Sequence, residues 1–288
     1  MSAPTIGELL FTTAETLNKR GLPSPRLDAE VLLAYLLQKS RTDLYINIDQ
    51  TVPENRVIEY LQMVQKRLAR EPISYITGEQ EFMSLAFRVN RDVLIPRPET
   101  EIIVEEVTVC KPRSILDIGT GSGAIAVSSA YYLPESRVWA VDISVKALEV
   151  ARFNACRHGV ADRISFFAGN LLEPLRSEEY DGFFDVITAN LPYIPTGEMD
   201  SLPRDVLGYE PQQALDGGTD GLMYYRELAP GACRLLREGG VMLLEIGWNQ
   251  AVQLKSFING LGFTGLEVKK DLAGLDRIVK VVNGKFRR

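Results

Sequence analysis

The chain has 288 residues, which is long enough for one large domain and one small one. Hydrophobic residues make up 45% of it, so a sizeable core can form and a disordered chain is excluded. A net charge of −6 argues against a broad nucleic-acid-binding face, which is normally basic. One histidine and three scattered cysteines exclude most histidine-based triads and zinc sites, so no metal site is expected.

Two further observations favour a cytoplasmic protein. No apolar run approaches the roughly 18 residues that a membrane helix requires, and residues 1–5 lack the basic and apolar segments of a signal peptide. Cys110, Cys156 and Cys233 have neither disulfide nor metal-site spacing, which is typical of reduced cysteines. We therefore expect no membrane partner.

Residues 1–73 are predicted to form a small, all-helical domain. Apolar residues recur at helical spacing near its start, and Ser24-Pro25 has the pattern of an N-cap followed by proline in the first turn. Pro53 begins a longer helical segment that ends before Pro72. The pattern indicates a bundle of four or five helices. No residues of catalytic type stand out in it, so we expect a recognition or positioning role.

Residues 74–95 are predicted to form a β-hairpin that connects this domain to the next one. Its two short strands are expected near residues 81–83 and 85–89. Two prolines then enclose Arg97, and acidic residues begin a helix a few residues later. From the residues alone, Arg97 and Glu99 are interpreted as a surface ion pair at the helix start, which contributes little stability.

Residues 96–288 are predicted to form an α/β domain. Strand-like and helical segments alternate from residue 114 onward, which indicates a mostly parallel sheet with helices on both faces. The last two strands have a short connection and are expected to form an antiparallel edge. The predicted strands are Ser114–Ile118, Val138–Val141, Ile164–Phe167, Phe184–Ala189, Val241–Ile246, Phe263–Val268 and Arg277–Val282. The predicted helices between them are Ala124–Tyr132, Val145–His158, Leu222–Leu236 and Asn249–Asn259.

A glycine-rich turn follows the first of these strands and precedes a helix, with the sequence Asp117-Ile118-Gly119-Thr120-Gly121-Ser122-Gly123. Glycines allow the backbone to pass close to a ligand, and a helix N-terminus offers free N–H groups. Asp142 ends the next strand, where an acid bonds ribose hydroxyls in nucleotide-binding α/β folds. The strand, turn, helix and acid together predict a nucleoside-binding site.

The nucleoside is expected to be S-adenosylmethionine rather than a dinucleotide. The glycine spacing is Gly-x-Gly-x-Gly, whereas a dinucleotide fold uses Gly-x-Gly-x-x-Gly and places a pyrophosphate on the helix end. S-adenosylmethionine has no phosphate, and Asp117 would suit its ammonium group. Asn170 and Leu171 follow the third strand. We expect Asn170 to bond the adenine edge and Leu171 to pack on its face.

A rigid loop, Asn190-Leu191-Pro192-Tyr193, follows the fourth strand. Proline fixes φ and donates no backbone hydrogen bond, so the strand stops here. The Asn190 side-chain oxygen and an unpaired Leu191 carbonyl can accept both N–H bonds of a planar NH₂ group, while Tyr193 covers its plane. Alone, the loop fits a strand-ending turn with a packed tyrosine equally well. Its position beside the glycine turn, at the carboxyl ends of strands, predicts a shared crevice.

These motifs resemble those of class I methyltransferases that modify amide or exocyclic nitrogens. The resemblance is closest to the HemK/PrmC family, the release-factor glutamine methyltransferases, and it extends from the helical domain to the C-terminus. The segments that carry it are Ile95–Glu101, Asn190–Ile194, Tyr209–Pro211 with Ala214–Gly218, and Leu244–Gly247.

The resemblance implies a class I, Rossmann-like sheet that binds S-adenosylmethionine, with Asn190 bordering both cofactor and substrate. It implies methylation of the glutamine amide in the Gly-Gly-Gln motif of peptide chain release factors, which the helical domain would recognise. Phe82, Arg97 and Glu99 are implied to border the substrate. One departure is present: the family motif is usually Asn-Pro-Pro-Tyr, and Leu191 replaces the first proline.

Two other functions remain open. The first is an adenine-N6 methyltransferase that acts on RNA or DNA, because the same loop fits an exocyclic amine and Asn-Leu-Pro-Tyr also occurs in ribosomal RNA adenine dimethyltransferases. Their pattern lacks the Pro-Arg-Pro-Glu-Thr-Glu segment and the acidic helical domain, so no nucleic-acid partner is expected. The second is a module that binds S-adenosylmethionine without chemistry. The intact Asn190–Tyr193 loop argues against that function.

Overall fold

The computed structural model describes residues 3–284, so the outermost residues of the predicted segments 1–73 and 96–288 lie outside the described residues. The described chain divides into two compact units. One contains the residues up to Glu79 together with Pro203–Tyr209, and the other contains the remainder. Within this part of the chain, no helix is both long and apolar enough to cross a membrane.

The first unit is a helical bundle, and between residues 3 and 79 it has five helices. Two of them begin with capping boxes, in which the Thr5 and Ser40 hydroxyls accept backbone N–H groups and Glu8 and Asp43 bond back to the cap. The buried Arg67 side chain donates to the Asp28 carboxylate at 2.7 Å. The helices are α1 (Ile6–Lys19), α2 (Pro25–Leu37), α3 (Arg41–Ile46), α4 (Glu54–Leu68) and α5 (Ile73–Thr77).

A segment from far along the sequence, Pro203–Tyr209, completes this bundle. Its short helix Arg204–Leu207 follows Pro203, and the Tyr209 hydroxyl donates to the Ala69 carbonyl at 2.7 Å. The sequence offers no periodic apolar pattern over these few residues. Their place in the helical unit was therefore not predicted.

The second unit contains a hairpin and a mixed sheet that, in the described chain, has seven strands. The hairpin strands are β1 (Glu79–Phe82) and β2 (Leu85–Arg88). The sheet strands are β3 (Ser114–Ile118), β4 (Arg137–Asp142), β5 (Ile164–Ala168), β6 (Phe184–Ala189), β7 (Leu236–Glu245), β8 (Phe263–Lys270) and β9 (Asp276–Asn283). The helices of this unit are α6 (Glu101–Cys110), α7 (Ala124–Tyr132), α8 (Val145–Arg157), α9 (Met223–Leu235) and α10 (Ala251–Asn259).

Helices cover both faces of the sheet. Because alternate residues of a strand point to opposite faces, the neighbours Ile115 and Leu116 on β3 belong to different core clusters. Ile115 packs in the cluster that contains residues of α6, α7 and α8, and Leu116 packs in the one that contains residues of α9 and α10. Because both faces of β3 are covered, all five of its residues are buried.

The strand order is β5-β4-β3-β6-β7-β9-β8, with β9 antiparallel to both of its neighbours. The predicted α/β fold with an antiparallel edge is therefore confirmed. The chain passes from β3 outward to β5 and then returns to β6 on the other side of β3. The carboxyl ends of β3 and β6 lie side by side, with Ile118 paired to Ala189. Ligands of open α/β sheets bind at such a reversal point.

Candidate active site

The glycine-rich turn after β3 has a backbone that only glycine adopts easily. Gly119, Gly121 and Gly123 have φ values of 72°, 55° and 81°. A Cβ added to Gly119 would lie 2.9 Å from Leu191 Cδ2, and one added to Gly123 would lie 3.0 Å from Ala151 Cβ. At both positions the backbone is strained for any residue with a side chain, and a Cβ would also force a neighbouring residue to shift.

Asp142 ties this turn to the end of β4. Its Oδ2 accepts the Gly121 N–H at 2.8 Å, and its Oδ1 accepts the Ser144 N–H at 2.9 Å. Burial raises the pKa of Asp142, and the two backbone donors lower it. Each carboxylate oxygen keeps a lone pair for a further donor, which is the arrangement needed to bond ribose hydroxyls.

Asp117 lies within the protein rather than in the cavity. It is fully buried, and its carboxylate accepts the Thr120 hydroxyl at 2.7 Å and the Thr188 hydroxyl at 2.8 Å. Burial raises the pKa of Asp117 to about 6, and the nearby Asp142 charge adds to the effect. The direct contact with a cofactor ammonium that the sequence suggested does not fit this placement. Asp117 instead fixes the glycine turn to β6 and to its own strand.

A cavity of about 200 Å³ opens at the carboxyl ends of β3, β4 and β6. The described residues that line it include Asp92 and Asp142 but neither lysine nor arginine. A phosphate would find no cationic side chain there, whereas a positively charged ligand would meet carboxylates. The residues expected from the sequence that line this cavity are Gly119, Thr120, Gly121, Ser122, Asp142, Asn170, Leu171, Asn190, Leu191 and Pro192.

Asn170 and Leu171 extend this cavity from the end of β5. Leu171 is buried and has a φ of 46°, a left-handed conformation that costs an L-residue with a side chain on the order of 1–2 kcal/mol. The Asn170 side-chain amide lies 3.4 Å from Glu227 Oε1 and is partly exposed. Strained backbone of this kind occurs often at ligand sites.

Asn190 stands at the end of β6 with its side-chain amide held by a neighbour. Asn190 Nδ2 donates to Thr100 Oγ1 at 3.1 Å, which leaves Oδ1 as the acceptor end of the carboxamide. The Leu191 carbonyl, expected to be unpaired, accepts the Tyr225 hydroxyl at 3.2 Å. That expectation was wrong. The same hydroxyl hydrogen is also within reach of the Glu245 carbonyl, and the Leu191 oxygen keeps a second lone pair.

A second glycine-rich segment braces the loop that carries Asn190. A Cβ added to Gly217 would lie 2.6 Å from the Pro192 oxygen, and one added to Gly221 would lie 2.1 Å from the Tyr193 oxygen. The Tyr193 oxygen also accepts Gln250 Nε2 at 2.8 Å. The backbone on both sides of Pro192 is therefore fixed by contacts as well as by the proline ring.

Tyr193 does not line the cavity, and Gly123 does not either. The Tyr193 hydroxyl lies 3.4 Å from Glu245 Oε1. Burial and the neighbouring Glu245 charge raise the pKa of Tyr193, so its hydroxyl stays protonated. Whether its ring covers a bound amide remains a prediction.

The three residues implied only by resemblance lie apart from the cavity lining. Phe82 is 1% exposed and packs edge-on against Phe87, with ring centroids 6.0 Å apart. Arg97 pairs with the buried Glu210, not with Glu99, so the predicted surface ion pair was wrong. Glu210 Oε2 also accepts the Ile95 N–H at 3.1 Å, which anchors the segment before α6.

Four residues whose hydrogen bonds join the segments around this site were not singled out from the sequence. Three of them stand inside the segments that carry the family resemblance and Tyr225 lies in a helix, but nothing in the sequence showed that they meet. Glu245 could have been noticed as an acid at the end of a buried apolar strand, which is uncommon without a partner. The four residues are Thr100, Glu210, Tyr225 and Glu245.

Comparison with known proteins agrees with this geometry. A family model described as PrmC N-terminal domain matches residues 8–78, and one described as methyltransferase domain matches residues 111–271. A protein of Moorella thermoacetica named release factor glutamine methyltransferase is 44% identical over 278 residues, covering 95% of this chain and 96% of that protein. The chain belongs to the release factor glutamine methyltransferase family. The family predicted from the motifs is confirmed.

Two further comparisons extend this assignment. A Geobacter sulfurreducens protein of the same name is 41% identical over 277 residues, covering 96% of this chain and 95% of that protein. The crystal structure of a methyltransferase from Pyrococcus furiosus has a TM-score of 0.54 and 20% identity, covering 81% of this chain and all of that one. At this identity the second comparison concerns the fold alone.

Proposed function

We propose that this protein uses S-adenosylmethionine to methylate the side-chain nitrogen of the glutamine in the Gly-Gly-Gln motif of peptide chain release factors. The observation that carries the proposal is the pair of acceptors at the cavity. Asn190 Oδ1 and the Leu191 carbonyl belong to successive residues of a braced loop, and both residues line the cavity. The names of relatives that match this chain over almost its whole length supply the substrate class.

The residues present fit the cofactor. The turn from Gly119 to Gly123 is closely packed and has positive φ at its glycines, and the described lining carries carboxylates without a lysine or arginine. When bound, S-adenosylmethionine supplies a methyl group on a positively charged sulfur. Asp142 would bond the ribose hydroxyls, and Asn170 and Leu171 would contact the adenine.

The chain's own contribution to the reaction is positioning. An amide nitrogen is a poor nucleophile because its lone pair is delocalised into the carbonyl. Acceptance of both N–H bonds by Asn190 Oδ1 and the Leu191 oxygen would draw electron density onto that nitrogen and fix its orientation. Pro192 keeps the two oxygens in place, and good alignment can contribute on the order of 7–11 kcal/mol to lowering a barrier. Among the described lining residues there is no histidine, lysine or cysteine to act as a base.

The helical unit is proposed to recognise the release factor, and the division of the chain into segments 1–73, 74–95 and 96–288 remains a prediction. The substrate takes part in translation, so the cytoplasm is the proposed location. An adenine-N6 methyltransferase would need the same two acceptors. The acidic net charge and the uncharged-to-acidic cavity lining favour a protein amide over a nucleic acid.

One assay separates these functions. Purified protein with labelled S-adenosylmethionine would be incubated with a release factor, with the same factor whose Gly-Gly-Gln glutamine is replaced, and with ribosomal RNA or DNA. We expect label on the unmodified release factor alone. Label on nucleic acid, on the glutamine-substituted factor, or on none of them would overturn the proposal.

A further inference from the structure

We propose that Thr100 and Glu245 are positioning residues that determine which end of the Asn190 carboxamide faces the substrate. The inference rests on the proposed function, because it assigns Asn190 Oδ1 the task of accepting a substrate N–H. Thr100 lies immediately before α6, and Glu245 is the last residue of β7. Both side chains are almost fully buried, at 3% and 1% exposure.

The hydrogen bonds form a chain with a defined direction. Thr100 Oγ1 donates to Glu245 Oε2 at 2.7 Å, and Asn190 Nδ2 donates to Thr100 Oγ1 at 3.1 Å. A hydroxyl has only one hydrogen, so a threonine that donates to the carboxylate can only accept from Asn190. The Asn190 NH₂ group must then point to Thr100, and its oxygen must point the other way.

The opposite orientation would defeat the proposed contact. If the carboxamide were turned over, an NH₂ group would meet the NH₂ group of the substrate, and two donors cannot bond to each other. Asparagine alone has no strong preference between the two orientations, since its terminal torsion is roughly two-fold. The carboxylate of Glu245 therefore selects the catalytic orientation through Thr100.

Several charged or titratable groups face Glu245 from the surrounding elements. Burial raises the pKa of Glu245 to about 7. The hydrogen bond from Thr100, the charge of Arg277 on β9 and the Tyr193 hydroxyl lower this pKa, and the charge of Glu99 raises it. The Tyr225 hydroxyl from α9 is shared between the main-chain carbonyls of Leu191 and Glu245 and makes no bond to the Glu245 carboxylate. Glu245 is thus placed to change charge near neutral pH.

Protonation would reverse the direction of this chain. A neutral Glu245 can donate its proton to Thr100, which frees the Thr100 hydrogen to bond Asn190 Oδ1. The carboxamide would then no longer be confined to the orientation with its oxygen toward the substrate, because Thr100 could either donate to it or accept from it. Turnover is expected to fall as the pH decreases through about 7, with a smaller effect on the binding of S-adenosylmethionine.

Three variants test this assignment. Thr100→Val keeps the shape but removes the hydroxyl, and we expect kcat to fall by about ten- to a hundredfold because a buried partner is lost. Thr100→Ser keeps the hydroxyl and should recover most of that loss, with KM little changed in both. Glu245→Gln cannot ionise, so its kcat should lose the inflection near pH 7 that the wild-type protein shows. Equal kcat for Thr100→Val and wild type, or an unchanged inflection in Glu245→Gln, would overturn the inference.

A spectroscopic measurement keeps the test independent of the substrate. The side-chain NH₂ resonances of Asn190, assigned in ¹⁵N-labelled protein by comparison with Asn190→Asp, should titrate with a midpoint near pH 7 in the wild type. They should not titrate in Glu245→Gln. A flat response in the wild type contradicts this inference even if release factor is methylated. A titrating response in a protein that methylates no release factor supports the positioning and contradicts only the proposed function.

Discussion

The Leu191 side chain lies against Gly119, so closely that a Cβ added to the glycine would be 2.9 Å from Leu191 Cδ2. This contact joins the loop that carries the two acceptor oxygens to the turn that would hold the cofactor. The residue that departs from the usual family motif therefore fills the space between the two halves of the site. Its side chain packs, and its carbonyl remains available.

Gly119→Ala should weaken the binding of S-adenosylmethionine by about tenfold or more, because the new Cβ strains the left-handed turn and displaces the Leu191 side chain that also lines the cavity. Titration calorimetry would measure the affinity. Gly159→Ala is a matched control, since Gly159 has a similar φ of 68° but nothing within 4 Å of an added Cβ. Both variants should lose stability from backbone strain, and only Gly119→Ala should lose affinity. Equal affinities would show that the contact with Leu191 does not matter.

Asn190→Ala should reduce kcat by about 5- to 150-fold, the equivalent of the 1–3 kcal/mol that a missing buried partner costs. Cofactor affinity should change much less, because the alanine variant keeps the backbone and the glycine turn. Steady-state kinetics and calorimetry would separate the two effects. Asn283→Ala serves as a control, since Asn283 Nδ2 bonds the Cys233 and Leu236 carbonyls in the core and should affect stability instead of kcat.

Leu191→Pro restores the proline that the family usually has and retains the carbonyl at this position. We expect far less loss of turnover than in Asn190→Ala, because the proposed chemistry uses the main-chain oxygen. Proline also favours extended backbone at Asn190, which suits the end of a strand. A loss as large as that of Asn190→Ala would indicate that Leu191 contributes through its side chain.

The two buried acids predict how stability depends on pH. Burial raises the pKa of Asp117 to about 6 and the pKa of Glu245 to about 7, above their ordinary values of 3.8 and 4.5. A raised pKa means that the stabilising contribution is complete below the ordinary value and is lost as the pH rises through the folded value. The second unit should therefore become less stable between about pH 4 and pH 7, by about 3 kcal/mol for each acid over the whole range.

Urea unfolding at pH 5.5 and pH 8, followed by tryptophan fluorescence, would measure the part of this change above pH 5.5, about 1 kcal/mol for Asp117 and about 2 kcal/mol for Glu245. Both tryptophans of the chain, Trp139 and Trp248, lie in the second unit, so the signal reports on that unit. Asp117→Asn and Glu245→Gln should each flatten the dependence. Acids with lowered pKa values, such as Asp185, lose their contribution only at lower pH and leave this interval unchanged. A stability that rises toward pH 8 would contradict the burial of the two acids.

Much of the fold was predictable because its signals are local. The bounds of β3, β6 and α7 agree with the sequence predictions to the residue. Gly119 follows β3, Asn190 follows β6, and Pro134 stands two residues after α7, and each of these residue types commonly ends a strand or helix. The sequence also predicted that the glycine-rich turn and the Asn190–Tyr193 loop share one crevice, because both follow the carboxyl ends of strands. That the first and fourth strands flank the reversal point was expected from the usual plan of open α/β sheets, whereas the full strand order was not predicted.

The contacts that orient the site were not predictable. Thr100 and Glu245 are 145 residues apart, and no periodicity links them. The same holds for Arg97 and Glu210, where the nearer acid Glu99 was the wrong partner. Asp117 looked like a cofactor ligand because an acid beside a glycine turn suits a cation. Its burial under Thr120 and Thr188 depends on side-chain packing, which a single sequence does not disclose.

The central claim concerns one nitrogen atom, and peptide mass spectrometry tests it most directly. A release factor treated with S-adenosylmethionine and this protein would be digested, and the fragment containing Gly-Gly-Gln would be sequenced by fragmentation. We predict the added mass of a single methyl group on the glutamine side chain with the wild-type protein, and an initial rate of methylation about 5- to 150-fold lower with Asn190→Ala. An unmodified glutamine with active, cofactor-binding protein, or a methyl group on another residue, would contradict the account.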